Sequence, residues 1–138
     1  MKTNSPTKKL LYVEDDRASL LLISHLLRNE FDVEGAIDAE SALDKVRHNY
    51  FDLILMDIKL GPIGKSGLEL LQKIRQLPDY KTIPVIAVTA YAMAGDREEI
   101  LRKGCNDYVS KPVDFKKLKQ AISRQMNNSS TLAHKTPV

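Results

Sequence analysis

One cysteine in 138 residues rules out an internal disulfide, so whatever fold this chain adopts rests on a noncovalent core. No apolar run approaches the length of a membrane span, and residues 1–9 lack the apolar stretch of a signal peptide. No internal repeat is visible. A bias of charge is missing as well, despite a net charge of +3. All 18 acidic residues lie between Leu10 and Met126; of the 21 basic ones, Lys2, Lys8 and Lys135 lie in the terminal segments, which leaves 18 of each from Lys9 to Met126. The body of the chain therefore lacks the basic footprint of a nucleic-acid binder. These absences lead us to expect a cytoplasmic protein with neither membrane nor direct nucleic-acid contact. What is present, 43% hydrophobic and 28% charged residues, suits one globular domain able to bury its own core.

Short apolar runs alternate with helical patterns. Lys9 to Val13 reads as a buried strand, and Asp15 or Asp16 can cap a helix reaching about Asn29. A strand over Phe31 to Ala36 precedes a helix capped by Asp38, with Ala39, Ala42, Leu43 and Val46 on one side. Leu53 to Met56 is unbroken and apolar, as in a strand covered on both faces, and ends at Asp57. A loop holding Gly61, Gly64 and Gly67 leads to a helix over about Leu68 to Leu77. Val85 to Val88 ends in Thr89, a helix through Arg97 and Ile100 stops at Gly104, and a strand from Asp107 runs toward Lys111-Pro112. Asp114 caps the final helix. We expect residues 1–8 to be a flexible lead, 9–126 the folded domain and 127–138 a flexible tail. Five strand–helix units imply an α/β, doubly wound parallel sheet, whose ligand site lies beyond the carboxyl ends of the strands. Glu14, Asp15, Asp57, Thr89 and Lys111 all fall there.

Three crowded carboxylates repel one another unless a cation is shared between them. Mg²⁺ accepts such oxygens together with water and phosphate. A carboxylate can also serve as a nucleophile toward phosphorus, and phosphoryl transfer asks mainly for positioning and charge neutralisation. The residues alone thus suggest phosphoryl transfer to a carboxylate.

The segments Leu11-Tyr-Val-Glu-Asp-Asp, Leu55-Met-Asp57, Val88-Thr89-Ala90 and Tyr108-Val-Ser-Lys111-Pro112 resemble the signature positions of the response-regulator receiver family, over about Lys9 to Met126. The resemblance implies a five-stranded sheet in the flavodoxin-like order 2-1-3-4-5. It implies Asp57 as phosphoacceptor, with Mg²⁺ (or Mn²⁺) held by Asp15, Asp57 and the backbone carbonyl of Lys59, and with Glu14 acting mainly through water. It also implies Thr89 and Lys111 on the phosphoryl group, Tyr108 as an aromatic switch, and a cis peptide at Lys111-Pro112. The implied partners are a histidine kinase or histidine phosphotransfer protein, docking beside Leu20 and Leu21 of the first helix, and a downstream protein on the face of the fourth helix, fifth strand and fifth helix. Lys59 and Tyr91, each two residues past a site residue, are read as slowing hydrolysis of the phosphoryl group. The loop from Lys59 to Gly67 is about two residues longer than the family's usual one, which leaves the rim of the metal site open.

Plainer readings exist for each residue. Glu14, Asp15 and Asp16 could be helix caps, Thr89 a strand residue, Lys111 a surface charge, Tyr108 a half-buried tyrosine, and Cys105 a small buried hydrophobe. His25, His48 and His134 do not cluster, and Lys116, Lys117 and Lys119 read as a solvated face. On the first helix, Ser19, Leu22, Ile23 and Leu26 form the expected inward stripe, with Leu21 pointing away. Two other functions share the architecture. An aspartyl-nucleophile phosphatase wants a second acid two residues after the nucleophile, where this chain has Lys59. A flavin or nucleotide binder wants a phosphate-cradling loop after the first strand, where Glu14-Asp15-Asp16 would repel phosphate. The expectation is therefore a signalling phosphoacceptor rather than an enzyme, either a single-domain regulator or a receiver cut from a larger one.

Overall fold

A computed structural model describes residues 7–58, 66–90 and 94–135. The elements run β1 (Lys9–Val13), α1 (Arg17–Leu27), β2 (Asp32–Ala36), α2 (Ala39–His48), β3 (Leu53–Asp57), α3 (Ser66–Arg75), a 3-10 turn (Pro78–Tyr80), β4 (Val85–Thr89), α4 (Ala94–Arg102), β5 (Asp107–Ser110) and α5 (Phe115–Lys135). The strands form one sheet, all neighbours parallel, in the order β2-β1-β3-β4-β5. The fold class expected from the sequence is the one observed.

The strands are apolar on both faces because both faces are covered. Side chains alternate across a strand, so Leu11, Ile54, Met56, Val85 and Ala87 pack with Val46 of α2, Leu71 and Ile74 of α3 and Ile100 of α4. Their neighbours Leu10, Tyr12, Leu53, Leu55, Ile86 and Val88 pack with Ile23 and Leu27 of α1 and with Leu118 and Ile122 of α5. Helix starts follow the capping rule. The Asp16 carboxylate accepts the Ser19 N–H at 3.0 Å, that of Asp38 the Ser41 N–H at 2.8 Å, and that of Asp114 the Lys116 N–H at 3.0 Å. Of the two candidate caps for α1 the chain uses Asp16, which leaves Asp15 to the site. Gly104, at φ +119°, takes the left-handed conformation after α4 that an L side chain disfavours.

The inward stripe of α1 differs from expectation. Ile23, Ser24 and Leu27 are buried and Leu20 is half-buried, whereas Leu22 is 58% exposed. A helix written Leu20-Leu-Leu-Ile carries two competing apolar stripes of the same period. Close packing selects between them: a Cβ on Gly35 of β2 would come within 3.0 Å of Leu20, so the missing side chain there admits the Leu20 face. Helix α5 also continues to Lys135, past the expected boundary at Met126.

Candidate metal centre

Every strand of the sheet points its carboxyl end toward one edge, and the site residues stand on that edge. Asp57 is the last residue of β3, Glu14 and Asp15 follow β1, Thr89 ends β4 and Lys111 follows β5. Parallel register sets Val13 beside Met56, Asp57 beside Val88 and Thr89 beside Ser110. One carboxylate oxygen from each of Glu14, Asp15 and Asp57 lies within 4.8 Å of the others. A cleft of about 70 Å³ adjoins them, lined by Glu14, Asp15, Asp38, Asp57 and Gly67 among others. That volume matches an ion with a few waters, a water taking about 30 Å³ of liquid. It is far below the roughly 300 Å³ at which pockets for organic ligands begin, which counts against a flavin or nucleotide.

The three acids differ in setting. Glu14 is 1% exposed, Asp57 half-buried and Asp15 exposed. Glu14 is tied down on both oxygens: the Tyr12 hydroxyl donates to Oε1 at 3.0 Å and the Asp16 N–H donates to Oε2 at 3.2 Å. The Lys111 ammonium lies 3.1 Å from Glu14 Oε1 and 3.2 Å from Asp57 Oδ1, so one cation bridges two carboxylates. Burial, then the negative charge of Glu14, raises the Asp57 carboxyl to about 6 against the opposing pull of Lys111. Burial works to lower the Lys111 ammonium, but Glu14 and Asp57 together outweigh it and raise it. Lys111 alone faces two carboxylates here, with Asp15 beside them. The donor set is all-oxygen and anionic, and it fits a hard divalent cation.

Other expected residues stand as follows. Thr89 is fully buried at the end of β4, where its carbonyl accepts the Lys111 N–H at 2.8 Å. The Lys111-Pro112 peptide is cis. Tyr108 is half-buried on β5 beneath the Arg97 guanidinium, and Leu21 is 69% exposed on α1. Lys59 and Tyr91, with Gly61 and Gly64, lie outside the described residues.

Sequence reasoning assigns no role to two further contributors. Tyr12 stands two residues before Glu14, hence on the same face of the strand, and that spacing was a legible signal for its hydrogen bond. Gly67 lets α3 start against β3, since a Cβ there would lie 3.0 Å from the Asp57 carbonyl oxygen. Only the packed structure reveals that approach.

Comparison with known proteins agrees with this geometry. The family model for the response regulator receiver domain matches residues 10–123. The chain belongs to this family. The receiver is 36% identical over 124 residues to the polar-differentiation response regulator DivK of Brucella ovis, covering 89% of this chain and 99% of that protein. It is 38% identical over 116 residues to the signal transduction histidine-protein kinase BarA of Shigella flexneri, covering 83% of this chain but 12% of that much longer protein. Among solved structures, the CheY-like receiver of Methanospirillum hungatei superposes with a TM-score of 0.79 at 32% identity, covering 91% and 98% of the two chains. The receiver of the sensor histidine kinase PA1611 from Pseudomonas aeruginosa, solved with a magnesium ion coordinated in its active site cleft, gives 0.77 at 31% identity, covering 88% and 99%. The protein is a phosphoacceptor of the response-regulator type, and its acidic cleft suits magnesium. No helix among the described residues is long and apolar enough to cross a membrane.

Proposed function

We propose that Asp57 is the acceptor and that the receiver, over residues 9–126, is phosphorylated by a histidine kinase or histidine phosphotransfer protein. One observation carries this reading: a half-buried carboxylate at the end of the central strand, bridged by Lys111 to a buried glutamate and opening on a cleft of ionic size. An Asp57 oxygen attacks phosphorus, the phosphorus–nitrogen bond of the phosphohistidine breaks, and its electron pair leaves with the imidazole, which takes up a proton. Asp15, Asp57 and the carbonyl of Lys59 would hold Mg²⁺ or Mn²⁺, with Glu14 acting through water; a bound cation supplies charge neutralisation for the entering phosphoryl oxygens. Lys111 offers a second cation, and Thr89 a hydroxyl once the backbone allows it to turn.

Leu20 and Leu21 line an apolar groove of about 330 Å³ with Arg17, Gly35 and Ile37, close to the acid cluster, and we assign it to the phosphodonor. The face of α4, β5 and α5 is assigned to the downstream protein, with Tyr108 as the switch. We assign no chemistry beyond self-phosphorylation and autodephosphorylation, and a cytoplasmic setting. Lys59 and Tyr91 are proposed to slow hydrolysis: decay of the purified phosphoprotein should be faster in Lys59→Asn and Tyr91→Ala. For the central reading, intact-mass analysis after acetyl phosphate treatment should show one added phosphoryl group with Mg²⁺, none in EDTA and none in Asp57→Asn. Equal labelling of Asp57→Asn would refute it.

A further inference from the structure

Arg97 projects from α4 onto β5, and its guanidinium carbon lies 5.1 Å from the centroid of the Tyr108 ring. A flat guanidinium at that distance attracts the aromatic face. Arg97 is exposed and has no hydrogen bond or ion pair among the described residues, so the ring is the contact that places it. Both residues line a groove of about 410 Å³ between α4, β5 and α5. The acids of that groove are engaged elsewhere: Asp107 by Arg124 at 2.7 Å and Gln125 at 3.2 Å, and Asp114 by the N–H groups of Lys116 and Lys117 that it caps. Among the described residues, neither acid of the groove pairs with Arg97.

We propose that Arg97 is a positioning residue for the switch, holding the Tyr108 ring toward the groove and so opposing the phosphorylated arrangement. The inference rests on the reading that Tyr108 turns inward when the site is phosphorylated. A contact present in only one of two states shifts their balance by its own strength. Turning the ring inward breaks the stack, so Arg97 weights the equilibrium toward the resting state. Stacks of this kind at exposed positions correspond to about a two- to fivefold change in an equilibrium constant.

The test titrates beryllofluoride, a phosphoryl mimic, into Mg²⁺-loaded protein and follows the ring ¹³C signal of Tyr108, identified by its loss in Tyr108→Phe. Arg97→Ala and Arg97→Gln should lower the midpoint about two- to fivefold, while Arg97→Lys, which keeps a cation, should fall between them and wild type. Mg²⁺ affinity without beryllofluoride should stay unchanged in all three, because Arg97 is not among the residues lining the acidic cleft. An unchanged or raised midpoint in Arg97→Ala and Arg97→Gln, with the Tyr108 signal still responding, overturns the role of Arg97 and leaves the switch intact. A wild-type Tyr108 signal that ignores saturating beryllofluoride overturns the switch itself, and this proposal with it.

Discussion

At the scale of single residues, Asp57 and Glu14 show how burial prepares a carboxylate for a cation. Glu14 carries three donors, from Tyr12, Asp16 and Lys111, and so is satisfied within the protein. Asp57 shares Lys111 with it and keeps a raised carboxyl, through burial first and the charge of Glu14 second. Binding of Mg²⁺ to the folded state alone should raise stability by mass action, about 2.7 kcal/mol at a hundredfold excess over Kd. A thermal shift that grows with Mg²⁺ concentration is expected for the wild type, and a smaller one at the same concentrations for Asp57→Asn, which loses one of the carboxylates. An equal shift in Asp57→Asn would place the ion elsewhere. Cys105 illustrates the opposite use of burial: its thiol is pushed up to about 12, which leaves it a packed, unreactive side chain.

Two side chains, Glu34 and Arg75, bind elements to one another away from the site. Glu34 of β2 pairs with Lys9 of β1 at 3.1 Å and with Lys45 of α2 at 3.3 Å. Burial pulls its carboxyl upward, but the hydrogen bonds and charges of the two lysines outweigh this and lower it below 4.5. A lowered carboxyl contributes stability that is full above its unfolded value and lost as pH falls through the folded one. Wild type should therefore exceed Glu34→Gln by at most about 1 kcal/mol at pH 7, and the gap should close below pH 4.5, as measured by urea denaturation at a series of pH values. A gap independent of pH would assign the effect to packing. At the opposite edge of the sheet, Arg75 of α3 donates to the carbonyls of Tyr80 at 2.9 Å, Ile83 at 2.6 Å and Gly104 at 2.8 Å, and to the Asn106 side chain at 2.9 Å. Asn106 in turn accepts the Val85 N–H at 2.9 Å. One half-buried guanidinium thus fastens the segments entering β4 and β5. Arg75→Met should cost about 2–3 kcal/mol by stranding several acceptors, with the acetyl phosphate reaction preserved in the protein that remains folded.

For the molecule as a whole, the chemistry sits at one edge of the sheet and the candidate output groove on one flank, joined through β4 and β5. Thr89 ends β4, its carbonyl holds the Lys111 N–H, and Tyr108 lies three residues before Lys111 on β5. Amide chemical-shift mapping with beryllofluoride and Mg²⁺ should therefore show changes on α4, β5 and α5 as well as at the cleft. Changes confined to residues around Glu14, Asp15 and Asp57 would mean that this flank is not coupled to the acidic cleft.

The sequence by itself determined the five strand–helix units, the parallel sheet and the acids, threonine and lysine at its carboxyl edge. Unbroken apolar runs, capping aspartates and the residues ending each strand are local signals, and topology turns local positions into a common edge. Tyr12 was within reach of the same logic, by its two-residue spacing from Glu14. Which leucines of α1 face inward was not, because Leu20 through Ile23 satisfy two helical phases equally and the choice falls to the space above Gly35. The closeness of Gly67 to Asp57, the grip of Arg75 on the two segments entering β4 and β5 and the stack of Arg97 on Tyr108 join residues distant in sequence or on different elements. Only the tertiary structure decided these, since they depend on how helices seat against the sheet rather than on any pattern along the chain.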